Sequence, residues 1–259
     1  MNPDWLIPRW PAPAHVHAVC STRAGGVSDA PFQSFNLGDH VGDEPGKVAV
    51  NRGILQQAMG VQPVFLSQVH GTRVLQINAS TPHGEEADAC LADQPDLACT
   101  IMVADCLPVL LTHRAGSVVA AVHAGWRSLA GQGGVGVLEE TLESFRSLAL
   151  VDRAQAATEI IAWLGPCIGP DAFEVGDDVR DAMLAHDRAA QRMFRRHGVN
   201  KWLADLQGLA RLRLVALGVT QIHGNDGSTP WCTVSNPSRF FSHRRDAVSG
   251  RMAACIWRD

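Results

Sequence analysis

The sequence predicts an α/β (α+β) fold: a single layered domain over residues 1–259, with a mixed β-sheet core flanked by helices. Three observations predict it. Strand-like and helix-like segments alternate from end to end without a shift in composition. Several strand-like segments are continuous apolar runs, the pattern of strands buried on both faces. No internal repeat or low-complexity linker divides the chain, and 259 residues are enough to bury a sizeable core.

The elements follow in order. A proline-rich stretch, Met1–Pro13, wraps the surface before a strand at His15–Cys20, and a glycine-containing turn spans Ser21–Ser28. Pro45–Met59 is predicted helical, with Gly60 just past its end as a C-cap. Strands are expected at Val64–Val69, Arg73–Ile77, Ala98–Val103, Val109–Thr112 and Val118–Val122. In Val135–Leu148, Leu138, Leu142, Phe145 and Leu148 recur at helical spacing, with Glu139, Glu140 and Glu143 between them. Glu159–Trp163 reads as a strand that breaks at Gly165-Pro166-Cys167-Ile168-Gly169-Pro170. Helices are expected at Glu174–His186, whose acidic first turn suits the dipole, and at Asp205–Leu217, stopped by Gly218. Met252–Trp257 closes the chain as a strand.

Composition narrows the function. The 46% hydrophobic and 19% charged content is that of an ordinary globular enzyme, and the net charge of −4 draws the molecule toward neither nucleic acid nor acidic membrane. Arg188, Arg192, Arg195 and Arg196 form the one basic cluster, which reads as a solvated helix face. Seven scattered cysteines, odd in number and without a C-x-x-C pair, argue against a disulfide framework or a structural zinc finger and for a reducing compartment. With no apolar signal-peptide stretch at the N-terminus and no run of the roughly 20 apolar residues that span a bilayer, the expected location is cytoplasmic.

Three segments carry the chemistry: Ser67-Gln68-Val69-His70-Gly71, Ala104-Asp105-Cys106-Leu107-Pro108 and Ala121-Val122-His123-Ala124-Gly125-Trp126-Arg127. Each places one metal-ligating side chain, His70, Cys106 or His123, at the end of an apolar strand-like run. Each also lies beside Gly, Pro or Asp, where a strand meets a turn. Three protein ligands with a fourth position open is the pattern of a catalytic zinc site. Asp105 and Cys106 point to opposite faces in a regular strand, so Asp105 shares the site only if the backbone turns there. It then orients a ligand histidine or carries a proton; otherwise it caps the turn. Cys167, in a tight turn, reads as a small packing residue.

Taken together these segments resemble the YfiH family, also known as laccase-domain or polyphenol-oxidase-like proteins and as purine nucleoside phosphorylases. The resemblance extends over nearly the whole chain and includes Ser21-Thr22-Arg23-Ala24-Gly25-Gly26-Val27-Ser28, Phe35-Asn36-Leu37-Gly38, Leu164–Pro170 with Phe173-Glu174-Val175-Gly176, Phe240-Phe241-Ser242-His243-Arg244-Arg245, and Gly250-Arg251. It implies Zn2+ held by His70, Cys106 and His123, phosphorolysis of adenosine, inosine, guanosine and methylthioadenosine, and hydrolytic deamination of adenosine. Two departures bear on substrate preference: His243 stands where the family usually has Tyr, and Ser128–Gly136 is longer and richer in glycine than usual.

Phosphorolysis needs a bound phosphate, and arginine clamps phosphate through paired hydrogen bonds. Arg23, Arg73, Arg127 and Arg245 lie in the matched motifs as candidates, and Asn36 offers a donor and an acceptor for a sugar or base edge. Deamination would use metal-bound water, with Asp105 or Glu174 carrying the proton. Nucleoside and phosphate are thus the expected small-molecule partners, with neither nucleic acid nor membrane. Three rivals remain: a copper-dependent (Cu2+) laccase-like oxidase, a hydrolase using Cys106 with His123 as base and linked to peptidoglycan editing, and a nucleoside-binding protein without turnover.

Overall fold

The apolar runs become the strands of two stacked sheets. A computed structural model of the chain describes residues 2–259. The first half contains β1 (Val16–Cys20), α1 (Pro45–Met59), β2 (Gln62–Phe65), β3 (Val74–Gln76), β4 (Ala89–Ala92), β5 (Leu97–Val103), β6 (Leu107–His113) and β7 (Val119–Ala124). Next come α2 (Trp126–Ala130), α3 (Val137–Ala149), α4 (Ala156–Glu159), β8 (Ile160–Leu164), β9 (Glu174–Gly176) and α5 (Asp177–His186). The chain ends through β10 (Phe194–Arg196), β11 (Lys201–Ala204), α6 (Leu206–Ala216), β12 (Gln221–Gly224), α7 (His243–Asp246) and β13 (Met252–Arg258).

One sheet has four strands in the order β1-β13-β5-β2, and the other has six in the order β12-β8-β6-β7-β4-β3. Both are mixed: β2 runs parallel to β5, β12 to β8 and β3 to β4, while the remaining pairs are antiparallel. A small three-stranded sheet, β10-β11-β9, lies apart from them. The layered mixed-sheet class is therefore as the sequence predicts, with the mixed core divided between two sheets.

Three apolar layers hold the stack together. Between the sheets, Cys99, Ile101 and Ile256 meet Leu110, Ala121 and Trp163. The outer face of the six-stranded sheet buries Val109, Leu111 and Val122 against Leu142 and Phe145 of α3, Met183 of α5 and Leu214 of α6. The outer face of the four-stranded sheet covers Phe65, Met102 and Ala253 with Leu55 and Met59 of α1. Because both faces of each sheet are covered, the strands read as unbroken apolar runs rather than alternating ones.

Helix α1 has the predicted bounds: Pro45 opens it, and Gly60 at φ 76° closes it by donating to the Gln56 carbonyl. Elsewhere the boundaries move for local reasons. The strand expected to reach Val69 ends at Phe65, and beyond it the Gln68 side chain takes over the ladder. Its Nε2 donates to the Met102 carbonyl at 2.8 Å, and the Met102 N–H donates to its Oε1 at 2.7 Å. The helix expected from Glu174 begins at Asp177, because Glu174–Gly176 pairs with β11 first. Among the described residues no helix is long and apolar enough to cross a membrane.

Candidate metal centre and its cavity

The three expected ligands converge where the two sheets meet. Strand β5 of one sheet passes to β6 of the other through only Ala104, Asp105 and Cys106, and Asp105 adopts φ 90° to make the turn. This is the backbone turn that lets Asp105 and Cys106 face one site. Antiparallel β7 lies beside β6, with Pro108 opposite His123, so His123 arrives from the adjacent strand. His70 comes from the irregular segment after β2 and adopts φ 61°. Left-handed conformations at non-glycine residues cost of order 1–3 kcal/mol and persist only where the surroundings fix them.

Asp88 does the fixing. This fully buried carboxylate accepts from the backbone N–H groups of Val69 at 3.2 Å, His70 at 2.9 Å and Gly71 at 2.6 Å. It also accepts from Nδ1 of His123 at 2.8 Å, which sets the tautomer and leaves Nε2 to face the site. Burial favours a neutral Asp88, but the His123 ring and the Gly71 and Val69 N–H groups outweigh it and hold the carboxyl below its usual range.

The ligand atoms of His70, Cys106 and His123 all lie within 4.8 Å of one another. His70 Nε2 is 3.6 Å from Cys106 Sγ, and the two imidazole rings meet edge to face with centroids 4.8 Å apart. Gly125 leaves the room they need: a Cβ there would lie 3.0 Å from Cys106 Sγ and 3.0 Å from His70 Cδ2. Burial pushes the Cys106 thiol up, but the imidazoles of His123 and His70 overcome it and bring it to about 6. Burial lowers His123, yet Cys106 and Asp88 raise it to about 9. A thiolate, two imidazoles and a carboxylate behind one of them are the donors and outer partner that a three-ligand metal site requires.

A cavity of about 380 Å³ opens over these ligands. Met102, Ile168, Phe173 and Leu206 make one wall apolar; Arg127, His243, Arg244, Arg251 and His40 supply cationic or titratable groups. Of the residues expected to act, Asp105 and Arg127 reach this cavity. Both oxygens of Asp105 are engaged: Oδ1 accepts from the Thr233 hydroxyl and Oδ2 from the Arg244 N–H at 2.6 Å. Arg127 is exposed and stacks 4.5 Å from the Trp126 ring.

The structure does not bring the other candidates to it. The Glu174 carboxylate faces Lys201 and His197. Arg23 donates to the carbonyls of Gln33 and Pro237, and Arg73 to that of Glu86. Arg245 grips Asp246 and donates to the carbonyls of Thr233, Val234 and Phe240. Asn36 is fully buried in a loop knot, where its amide joins Gly38, Asp43 and the Arg251 N–H. Cys167 packs in the core as expected, beside Gln207 and Asn225. Sequence reasoning did not single out Asp88, Gln68, His40, Phe173, Arg244 or Arg251. Gln68, Phe173, Arg244 and Arg251 lie in the motifs it quoted; Asp88 sits in Glu85-Glu86-Ala87-Asp88 with no motif around it.

Stacked mixed sheets and one His-Cys-His centre define an α/β protein with a metal-type site. A family model described as multi-copper polyphenol oxidoreductase laccase matches residues 17–259. A Shigella flexneri protein named purine nucleoside phosphorylase YfiH is 48% identical over 254 residues, covering 97% of this chain and 98% of its own. Purine nucleoside phosphorylase PA4543 of Pseudomonas aeruginosa is 46% identical over 98% of both chains. The crystal structure of Neisseria meningitidis protein NMB0706 superposes with a TM-score of 0.90 at 45% identity, covering 99% of each chain. The chain belongs to the YfiH family of laccase-domain proteins.

Proposed function

We propose that the chain is a zinc-dependent purine nucleoside phosphorylase acting on adenosine, inosine, guanosine and methylthioadenosine. The observation that carries this reading is the convergence of His70, Cys106 and His123 in a mainly apolar cavity that also holds three arginines. The relatives named purine nucleoside phosphorylase, 48% and 46% identical, support it. His70, Cys106 and His123 would hold the zinc, whose charge stabilises an oxyanion and activates water when bound.

The chain's own groups do the rest. Met102, Ile168, Phe173 and Leu206 receive the purine and exclude water from one side of it. A phosphate oxygen forms a bond to ribose C1′ as the C1′–N9 bond breaks. The electron pair leaves with the purine, which takes up one proton, giving free base and ribose 1-phosphate. Of the two carboxylates expected to handle a proton, only Asp105 lies at the cavity. With both oxygens held by donors, its role in this reading is to position Arg244. Hydrolytic deamination of adenosine is the proposed second activity: water adds at C6 as the exocyclic amino group leaves as ammonia, giving inosine, and a metal held by His70, Cys106 and His123 would supply the activation of that water.

Zinc is favoured over a multi-copper oxidase centre because His70, Cys106 and His123 form the one such ligand group among the described residues, with no second cluster to hold further coppers. A cytoplasmic location is proposed because all seven cysteines are free thiols. Zinc-loaded protein incubated with adenosine should release adenine only when phosphate is present, as read by chromatography. Inosine formed without phosphate marks the deaminase activity. No product of either kind would reject the enzymatic reading.

A further inference from the structure

A phosphorylase cavity must seat an anion, and two of the arginines lining this one are anchored at one end only. Arg244 spends one end of its guanidinium on the fold: Nη1 donates to the Glu174 carbonyl at 2.8 Å, while its own N–H is held by Asp105 at 2.6 Å. Arg251 is anchored the same way. Its Nη1 donates to the carbonyls of Ser249 at 2.8 Å and Gly250 at 3.1 Å, its N–H donates to Asn36 Oδ1 at 2.8 Å, and its stem packs over Gly38.

In both residues the Nε–Nη2 edge, the fork that matches an oxyanion, forms no hydrogen bond or salt bridge among the described residues. Anchoring one end of a guanidinium fixes the direction of the other, so little side-chain freedom remains to be lost on binding. Asp105 is the only carboxylate lining the cavity, and both its oxygens are occupied. His40 and His243 complete the same wall. Arg23, Arg73 and Arg245 contrast with this pair, because backbone carbonyls and carboxylates outside the cavity take up their guanidinium groups.

We propose that Arg244 and Arg251 form a preorganised clamp for the tetrahedral oxyanion of inorganic phosphate, on the wall of the cavity that holds His70, Cys106 and His123. The clamp rests on the phosphorylase reading for its place in the reaction, but phosphate binding can be tested without turnover. The phosphate of a nucleoside monophosphate presents the same oxygens, so the test must separate the two sources.

The experiment titrates inorganic phosphate, and separately adenosine 5′-monophosphate, into zinc-loaded protein by calorimetry. Wild type is compared with Arg251→Lys, which keeps the charge and loses the fork, and with the exposed-site change Arg244→Ala. Each substitution should weaken inorganic phosphate about 10-fold or more, the scale of a charge-assisted hydrogen bond. In turnover assays KM for phosphate should rise by a similar factor, with KM for the nucleoside changed less than about 3-fold. Circular dichroism confirms that each variant is folded.

Unchanged phosphate affinity in both folded variants overturns the clamp. So does loss of monophosphate binding alone, which would assign the arginines to a nucleotide. If wild type binds phosphate through both arginines yet releases no base, the clamp stands and the phosphorylase reading falls. If base release depends on phosphate while KM for phosphate is unchanged in the variants, the phosphorylase reading stands and the clamp falls.

Discussion

Asp88 controls both histidine ligands at once, by holding the His123 ring through Nδ1 and the His70 backbone through three consecutive N–H groups. Asp88→Asn would turn an NH2 group toward those donors. Zinc affinity should fall about 10- to 100-fold, measured by competition with a chromogenic chelator, and an unchanged affinity would remove Asp88 from this role. Cys106 gives a pH-dependent readout. In metal-free protein its thiol, brought to about 6, is largely thiolate at pH 7, whereas burial pushes Cys20, Cys99, Cys167 and Cys255 up. Iodoacetamide at pH 7 should therefore modify Cys106 first, more slowly as pH falls through about 6, and zinc should block it. Equal labelling with and without zinc would argue against Cys106 as a ligand. The candidate cluster was legible because each of its residues ends an apolar run beside a turn-forming residue. Asp88 was not, because its partner His123 lies 35 residues away and no local pattern links them.

At the scale of elements, the clear signals were chemical stop and start marks. Pro45 and Gly60 bracket α1, and the leucine and phenylalanine spacing of α3 gives its buried face. Strand β4, Ala-Cys-Leu-Ala, has neither length nor alternation to announce it, and it forms because β7 and β3 pair with its two edges. The end of α3 carries a conflict that can be relieved. Leu150 caps it at φ 55° while 91% exposed, so its side chain gains little from burial and pays the left-handed penalty. Leu150→Gly should stabilise the protein by about 1 kcal/mol, raising Tm by roughly 2–4 °C in a scanning calorimeter. A lower Tm would show that the leucine makes contacts outweighing its backbone strain.

For the whole molecule, the three candidate ligands come from both sheets and the crossing between them. His123 lies on a strand of the six-stranded sheet, His70 follows a strand of the four-stranded sheet, and Cys106 sits on the short crossing between them. That the apolar runs were buried on both faces was readable. That they divide into two sheets was not, because an apolar run does not name the strand it pairs with. A metal bound across the two sheets should stabilise both together. At a free zinc concentration 100 times its Kd the gain is about 2.7 kcal/mol. Chelation should therefore lower Tm in one cooperative transition; melting of one sheet alone would mean that the metal does not couple them.

The most direct test measures bound zinc and ribose 1-phosphate formation from inosine on the same preparations of wild type and Cys106→Ala. About one zinc per chain and phosphate-dependent turnover are expected in wild type, with both lost in the folded variant. Full turnover by a zinc-free Cys106→Ala protein would contradict zinc-dependent phosphorolysis.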